Sequence, residues 1–193
     1  MKKMILLTIV SIASLLNIQA QEEYQISLKN STVEWIGEKV TGSHSGFINL
    51  KSAFFLFEDE KLVGGEFEID MNSIKCTDIE NPKYAVKLED HLKDNDFFAT
   101  DKYPTSTFKI TNVIFDGTSY MITGNITIRE ISQEITFPAQ FHSHGELFHA
   151  DAIVKVDRTK HDIKYGSGSF FDDLGDRMIY NEFTLKIHLE GTK

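Results

Sequence analysis

Tyr120-Met121-Ile122-Thr123-Gly124-Asn125-Ile126-Thr127-Ile128 alternates without a break. Tyr120, Ile122, Gly124, Ile126 and Ile128 fall on one side, and Met121, Thr123, Asn125 and Thr127 on the other, the period-two signature of a half-buried strand. Downstream, Ile135, Phe137, Ala139 and Phe141 alternate with Thr136, Pro138, Gln140 and His142, and then Phe148, Ala150, Ala152, Val154 and Val156 with His149, Asp151, Ile153 and Lys155. A two-residue Gly145-Glu146 turn, Gly first as a type II′ hairpin prefers, pairs His144 with Leu147, Phe141 with Ala150, Ala139 with Ala152 and Phe137 with Val154. A four-residue loop over 130–133 pairs Arg129 with Glu134, Ile128 with Ile135, Ile126 with Phe137 and Gly124 with Ala139. A one-residue slip would expose the whole apolar set, so both registers are strongly specified. They place three small residues, Gly124, Ala139 and Ala152, in a row on a bulky apolar face, which suggests a space and hence a ligand.

The same patterning extends upstream. Strands are expected near 32–40, with Val33 and Trp35 on one face, over 44–57, and over 62–71, where Val63, Gly65, Phe67, Ile69 and Met71 share a side. After Met71 the period changes: Tyr84, Leu88, His91 and Leu92 recur at helical spacing, predicting one short helix near 82–93 that stops at Asn95. Phe97 and Phe98 follow, and Tyr103-Pro104 turns into a strand with Phe108 and Ile110 on one face. A three-residue loop over 116–118 sets Phe108 opposite Ile126 and Ile110 opposite Gly124. The last strand carries Phe183, Leu185, Ile187 and Leu189 on one side.

The fold class is therefore all-β: about eight antiparallel strands with one short helical excursion. Closure into a barrel removes the sheet edges, and about eight strands leave an interior that side chains fill or that holds one small ligand. A sandwich is the alternative architecture. An outer-membrane barrel would show the same dyad inverted, but the helix, the long polar loops and the absence of aromatic girdles oppose it.

Residues 1–20 read as a cleavable signal peptide, with Lys2 and Lys3 as the basic region, an apolar stretch over 4–18, and Ile18-Gln19-Ala20 before the cut. The stretch is too short to span a bilayer. Residues 21–193 then form one domain, expected in the periplasm or secreted. Without Lys2 and Lys3 the basic residues fall from 20 to 18 against 29 acidic ones, a formal net charge of −11. Such a surface disfavours nucleic acid and anionic membranes, where phosphates want Lys and Arg. Cys76 is the single cysteine, so no internal disulfide forms; it reads as a buried small side chain or a reactive thiol.

A series of short motifs in order resembles the YceI-like family of exported, lipocalin-like proteins, some of which bind polyisoprenoid lipids. The matching pieces are Gly42-Ser43-His44-Ser45-Gly46, Gly65-Glu66-Phe67-Glu68-Ile69-Asp70-Met71, His91-Leu92-Lys93, Asp96-Phe97-Phe98, Tyr103-Pro104, Thr107-Phe108-Lys109-Ile110, Gly124-Asn125-Ile126-Thr127-Ile128, Ile135-Thr136-Phe137-Pro138 and Asp157-Arg158-Thr159. The resemblance implies a lipocalin-like barrel with an apolar channel for a long-chain isoprenoid or related amphiphile, and no other cofactor. The family usually has Gly in the turn after Ile128-Arg129, where this chain has Glu130.

The residues expected to line that channel are Trp35, Phe67, Phe97, Phe98, Phe108, Ile110, Tyr120, Ile122, Gly124, Ile126, Phe137, Ala139, Phe141, Ala152, Val154, Phe183 and Leu185. Other constellations carry weaker signals. His142 and His149 become cross-strand partners, with His144 and Asp151 nearby, a surface cluster that reads as a metal site or as a polar hairpin tip. The pentad 42–46 has His44 at its centre, not the Ser of a nucleophile elbow, so its glycines bend the strand or admit a ligand; His44 reads as a head-group donor or a satisfied structural histidine. Asp157-Arg158 reads as an ion pair pinning the long loop or as a head-group anchor. Gly166-Ser167-Gly168 lacks the context of a phosphate loop, and His91 is expected to pack at the barrel mouth. With no nucleophile, base and orienting group brought together, the reading is a binding protein for a hydrophobic small molecule, not an enzyme. It is not membrane-embedded, and it is a monomer or a homodimer. The rival is an interaction or surface metal-binding protein whose barrel core is filled.

Overall fold

The computed structural model describes residues 21–193, so the signal-peptide expectation lies outside the described residues. The strands are β1 (Glu22–Ile26), β2 (Thr32–Lys39), β3 (Gly42–Glu58), β4 (Lys61–Cys76), β5 (Thr105–Phe115), β6 (Tyr120–Ile128), β7 (Ile131–His144), β8 (Leu147–Asp157) and β9 (Ile179–Thr192), with helix α1 (Pro82–Lys93) between β4 and β5. Each is antiparallel to its neighbours, and the sheet closes through β2-β9-β8-β7-β6-β5-β4-β3 back to β2. The unexpected β1 does not add a ninth stave. It pairs with residues 54–57 of β3 and 191–192 of β9, beyond the segment that β2 pairs, so β1 and β2 are two pieces of one broken stave. Only Tyr24 and Ile26 of its five residues are buried, too short an alternation to read as a strand.

The β7–β8 hairpin has the expected register, with His144 opposite Leu147, Phe141 opposite Ala150 and Ala139 opposite Ala152. Gly145 alone takes a positive φ, 63°, while Glu146 does not, as a II′ turn requires. Pairing stops at Ala139, however, so Phe137 and Val154 are not partners. Pro138, with no N–H to give a ladder, stands where β7 and β8 part.

The β6–β7 register differs from the expectation. Ile128 faces Ile131 across a two-residue Arg129-Glu130 turn, which puts Gly124 opposite Ile135, Ile126 opposite Gln133 and Tyr120 opposite Ala139. The offset is even, so every apolar residue keeps its face; alternation fixes parity but not the length of the loop. Both turn residues are left-handed, Arg129 at φ 52° and Glu130 at 61°, the dihedrals of a I′ turn without glycine. Distant groups hold it: Arg129 Nη1 donates to the Phe97 carbonyl at 3.1 Å and the Asp162 carbonyl at 2.9 Å, and the His161 ring bonds the Ile131 carbonyl at 2.9 Å.

Phe108 opposite Ile126 and Ile110 opposite Gly124 stand as expected, but by compensation: the loop is one residue longer, and a bulge near Thr111 absorbs the excess. Bulges also change the face in β3 and β4. After Leu50 the buried positions shift to Ala53, Phe55 and Phe57, and in β4 Leu62 is buried where Val63 is exposed.

Helix α1 has the expected bounds. Proline stands at its start, Asn81 caps the Lys83 amide, and His91 and Lys93 occupy the last turn, where cations suit the helix dipole. Its buried side is Ala85 and Glu89, with Leu88 and Leu92 half-buried, whereas Tyr84 faces solvent. Glu89 fixes the docking: its carboxylate accepts from Lys75 Nζ at 2.9 Å and from the Cys76 amide at 3.0 Å. Burial alone would raise its pKa; those hydrogen bonds outweigh it and hold the carboxyl below its ordinary value.

Candidate functional site: an apolar cavity in the barrel

The barrel interior is not filled. A cavity of about 210 Å³ runs through it, more than an order of magnitude above the roughly 10–15 Å³ that one water needs. Toward the β7–β8 hairpin, aromatic rings pack against one another. Tyr24 stacks on Phe57 at 4.1 Å and Phe141 on Phe148 at 5.2 Å, and Phe55 meets Phe57, Phe141 and Phe148 edge-on or tilted within 6.5 Å. At the opposite end, the 94–104 loop turns back after α1, with Phe98 N–H on the Leu92 carbonyl and Ala99 N–H on the Asp94 carbonyl, and directs Phe97 and Phe98 into the wall.

Every residue expected to line a channel is in the cavity wall except Gly124. The correction has a direct cause. A Cβ on Gly124 would lie 2.5 Å from Cζ of Phe108, so the neighbouring strand's ring already occupies that space. Ala139 and Ala152 do stand side by side in the wall, but the third member of the expected row is Tyr120, opposite Ala139. The sequence reading missed Phe55, Leu62, Ile74, Leu92 and Arg158 among the lining residues. For Phe55 a signal existed, since the polar pair Lys51-Ser52 interrupts the apolar alternation where the bulge lies.

Arg158 is the one charged lining side chain that is fully buried, at 2% exposure. It forms no ion pair with Asp157, correcting the expected pairing. Asp157 instead caps the 3₁₀ turn Arg158–His161 through the Thr159 amide and hydroxyl. The guanidinium donates to three backbone carbonyls, Tyr180 at 3.1 Å, Ile163 at 2.8 Å and Ile179 at 3.1 Å, and lies 5.5 Å from the Phe97 ring centroid. Two of those carbonyls sit where the β2–β9 pairing skips, between Gly37 opposite Phe183 and Lys39 opposite Ile179. Arg158 thus joins the long loop, the start of β9 and the 94–104 loop. Burial lowers its pKa, with Asp157 opposing, and the carbonyl dipoles take the place of water around the charge.

The wall reaches exposed residues at two breaks in strand pairing. One is where β7 and β8 part, beside Gln140 and Asp151; the other is the β2–β9 skip, beside Glu38, Tyr180 and Glu182.

Apart from Asp151, the remaining candidates lie outside the cavity. His44 Nδ1 is 2.9 Å from an Asp78 carboxylate oxygen, a satisfied structural histidine. What approaches Gly46 is the Lys75 carbonyl and the Trp35 ring; Trp35 Nε1 donates to that same carbonyl at 3.2 Å. His91 packs on Tyr165 at 4.5 Å and Phe97 at 5.8 Å, over the helix end of the barrel. Burial, with Asp78 beside it at 3.2 Å, pushes the Cys76 thiol up and away from reactivity. His142 and His149 are partners with rings 4.9 Å apart, while Asp151 turns to His188 at 2.8 Å and His144 sits at the hairpin tip. Among the described residues no group of three His, Cys, Asp or Glu is arranged to hold a metal ion.

A family model described as the YceI-like domain matches residues 24–191. A UPF0312 protein of Vibrio parahaemolyticus is 27% identical over 210 aligned positions that cover all of both chains. Protein YceI of Shigella flexneri is 29% identical over 94 residues, 48% of this chain and 46% of that one. Among solved structures, Burkholderia cenocepacia BcnA superposes with a TM-score of 0.70 at 23% identity, covering 86% of this chain and 99% of that one. A domain from Saccharophagus degradans, described as polyisoprenoid-binding and implicated in plant cell wall breakdown, superposes with a TM-score of 0.64 at 11% identity, covering 88% and 97%.

Proposed function

This chain belongs to the YceI-like family, and we propose that it is an exported binding protein that holds one long-chain isoprenoid, quinone-like or fatty amphiphile inside its barrel. The observation that carries this reading is the unfilled cavity of about 210 Å³ walled by aliphatic and aromatic side chains. Each methylene buried there contributes roughly 0.8 kcal/mol, so one isoprene unit adds on the order of 3 kcal/mol before the costs of association. The relative described as polyisoprenoid-binding shares the fold and supports the same ligand class. The wall includes no histidine or cysteine, and its buried cation is committed to backbone carbonyls, which favours holding a molecule over transforming it. The basic and apolar segments in the sequence of residues 1–20 support export. Among the described residues no helix is long and apolar enough to cross a membrane.

Native mass spectrometry before and after organic extraction tests this function. The expected result is a lipid-sized mass adduct that extraction removes and that added long-chain isoprenoid restores at one per chain. A protein with no adduct and no uptake would favour the filled-core alternative and overturn the reading.

A further inference from the structure

The loop between β8 and β9 holds aromatic side chains out in water on a well-tethered frame. Phe170 and Phe171 are 49% and 50% exposed, and Tyr165 and Tyr180, before and after them in the sequence, are 43% and 47% exposed. Loose chain does not explain this. The Ser167 hydroxyl, fully buried, donates to Asn181 Oδ1 at 2.7 Å, Asn181 Nδ2 donates to the Ser169 hydroxyl at 2.8 Å, and Ile179 N–H donates to the Gly166 carbonyl at 2.8 Å. The Phe170 and Phe171 amides both bond the Ser167 carbonyl, at 3.1 and 3.0 Å, which closes the turn and fixes where the two rings emerge. Aromatic side chains held exposed on a hydrogen-bonded turn mark a surface suited to contact.

Two features select a lipid surface as the partner. First, the turn is tied to the cavity rim: Asn181, bonded to Ser167 and Ser169, follows Tyr180, a lining residue at the β2–β9 pairing skip, and Tyr165, two residues before Ser167, packs on Phe97 of the cavity wall at 6.4 Å. Second, the segment is nearly neutral. Over 160–180 the three cations Lys160, Lys164 and Arg177 nearly balance the four anions Asp162, Asp172, Asp173 and Asp176, in a protein that is otherwise strongly acidic. Aromatic rings with polar neighbours suit the headgroup region of a bilayer, where Phe buries its ring and Tyr keeps its hydroxyl wet.

We propose that this loop docks the barrel on a zwitterionic bilayer, with Phe170 and Phe171 inserted, so that the β2–β9 break faces the membrane from which a lipid enters or to which it leaves. The proposal rests on the lipid-carrier reading for its purpose, but its test is separate. The purified protein is sedimented with phosphatidylcholine vesicles and with vesicles enriched in phosphatidylglycerol, and its uptake of a soluble fluorescent fatty acid is measured without vesicles. The wild type is expected to bind phosphatidylcholine vesicles, and more weakly as phosphatidylglycerol increases, because of its overall negative charge. Phe170→Ser combined with Phe171→Ser is expected to lower vesicle binding at least tenfold and leave fatty-acid uptake unchanged. Phe171→Trp is expected to retain binding and to show emission quenched by brominated phosphatidylcholine beyond that of the wild type. A wild type that ignores phosphatidylcholine vesicles, a double variant that binds as well as wild type or loses fatty-acid uptake, or a Trp unaffected by brominated lipid would each overturn the proposal. Failure of fatty-acid uptake in the wild type would instead count against the carrier reading.

Discussion

The ring of Phe108 lies over Gly124 so closely that a Cβ at residue 124 would come within 2.5 Å of its Cζ atom and within 2.5 Å of the Lys109 carbonyl oxygen. Glycine is therefore required there by an adjacent ring, not by a ligand. Gly124→Ala is expected to lower stability by about 1–3 kcal/mol in denaturant unfolding, the usual cost of overpacking, without abolishing lipid uptake. Phe108→Ala removes a ring that borders the cavity and is expected to accommodate a bulkier ligand at a cost in stability of about 3–5 kcal/mol. A Gly124→Ala variant as stable as the parent would show that the ring moves aside freely.

Arg158 joins the long loop to the start of β9 through the carbonyls of Ile163, Ile179 and Tyr180, and reaches the 94–104 loop through the Phe97 ring. Arg158→Met leaves those acceptors unpaired and is expected to cost about 3 kcal/mol or more. Arg158→Lys is expected to recover little, because one ammonium cannot reproduce the planar fork that reaches all three. Hydrogen exchange reads this locally: protection is expected to drop first in the 158–180 loop and the start of β9. Uniform loss across the barrel would contradict the assignment of Arg158 to this end.

The Arg129-Glu130 turn holds two side-chain-bearing residues at positive φ. Each such residue costs roughly 1–2 kcal/mol relative to its preferred region. Glu130→Gly is expected to raise stability by about 0.5–1 kcal/mol, measured as a shift in the unfolding midpoint at unchanged slope, since part of the gain is lost to the freer unfolded chain.

Two histidines are displaced to opposite sides of the ordinary value of 6.5. Burial lowers the pKa of His161, against the opposing effect of its bond to the Ile131 carbonyl, whereas hydrogen bonding to Asp151 raises that of His188. His161 therefore favours the folded state while neutral, and its contribution is lost as pH falls from 6.5 through its folded pKa. The contribution of His188 is full below 6.5 and is lost as pH rises through its folded pKa. Proton resonances of the two rings should titrate on opposite sides of 6.5; a common midpoint there would contradict both assignments.

How far the chain can be read before its structure is known depends on what alternation encodes. Period two fixes which residues face inward on an unbroken strand, so every residue expected in the wall except Gly124 stands there, and the β7–β8 hairpin was legible from the glycine that declares its turn. The bulges of β3 and β4, by contrast, hid wall residues such as Phe55 and Leu62. Loop length is not encoded that way. The β6–β7 offset was missed because a turn without glycine is held by contacts from Phe97, Asp162 and His161, all remote in sequence. The reading of Gly124 as open space failed for a related reason: a gap on one strand says nothing about a ring on the next. The sequence sets Arg158 beside Asp157, yet its partners are one carbonyl of the long loop and two at a pairing skip that no side chain announces.

Trp35 is the single tryptophan of the chain and stands in the cavity wall. Its emission during titration with a long-chain isoprenoid alcohol therefore tests most directly whether the cavity is a binding site. The account predicts a saturable change at one ligand per chain, and its loss in Ala139→Phe, where a ring replaces a small wall residue between Tyr120 and Ala152 in a barrel whose far-ultraviolet spectrum is preserved. An unresponsive Trp35 with no ligand retained, or a folded Ala139→Phe that binds as tightly as the parent, would contradict it.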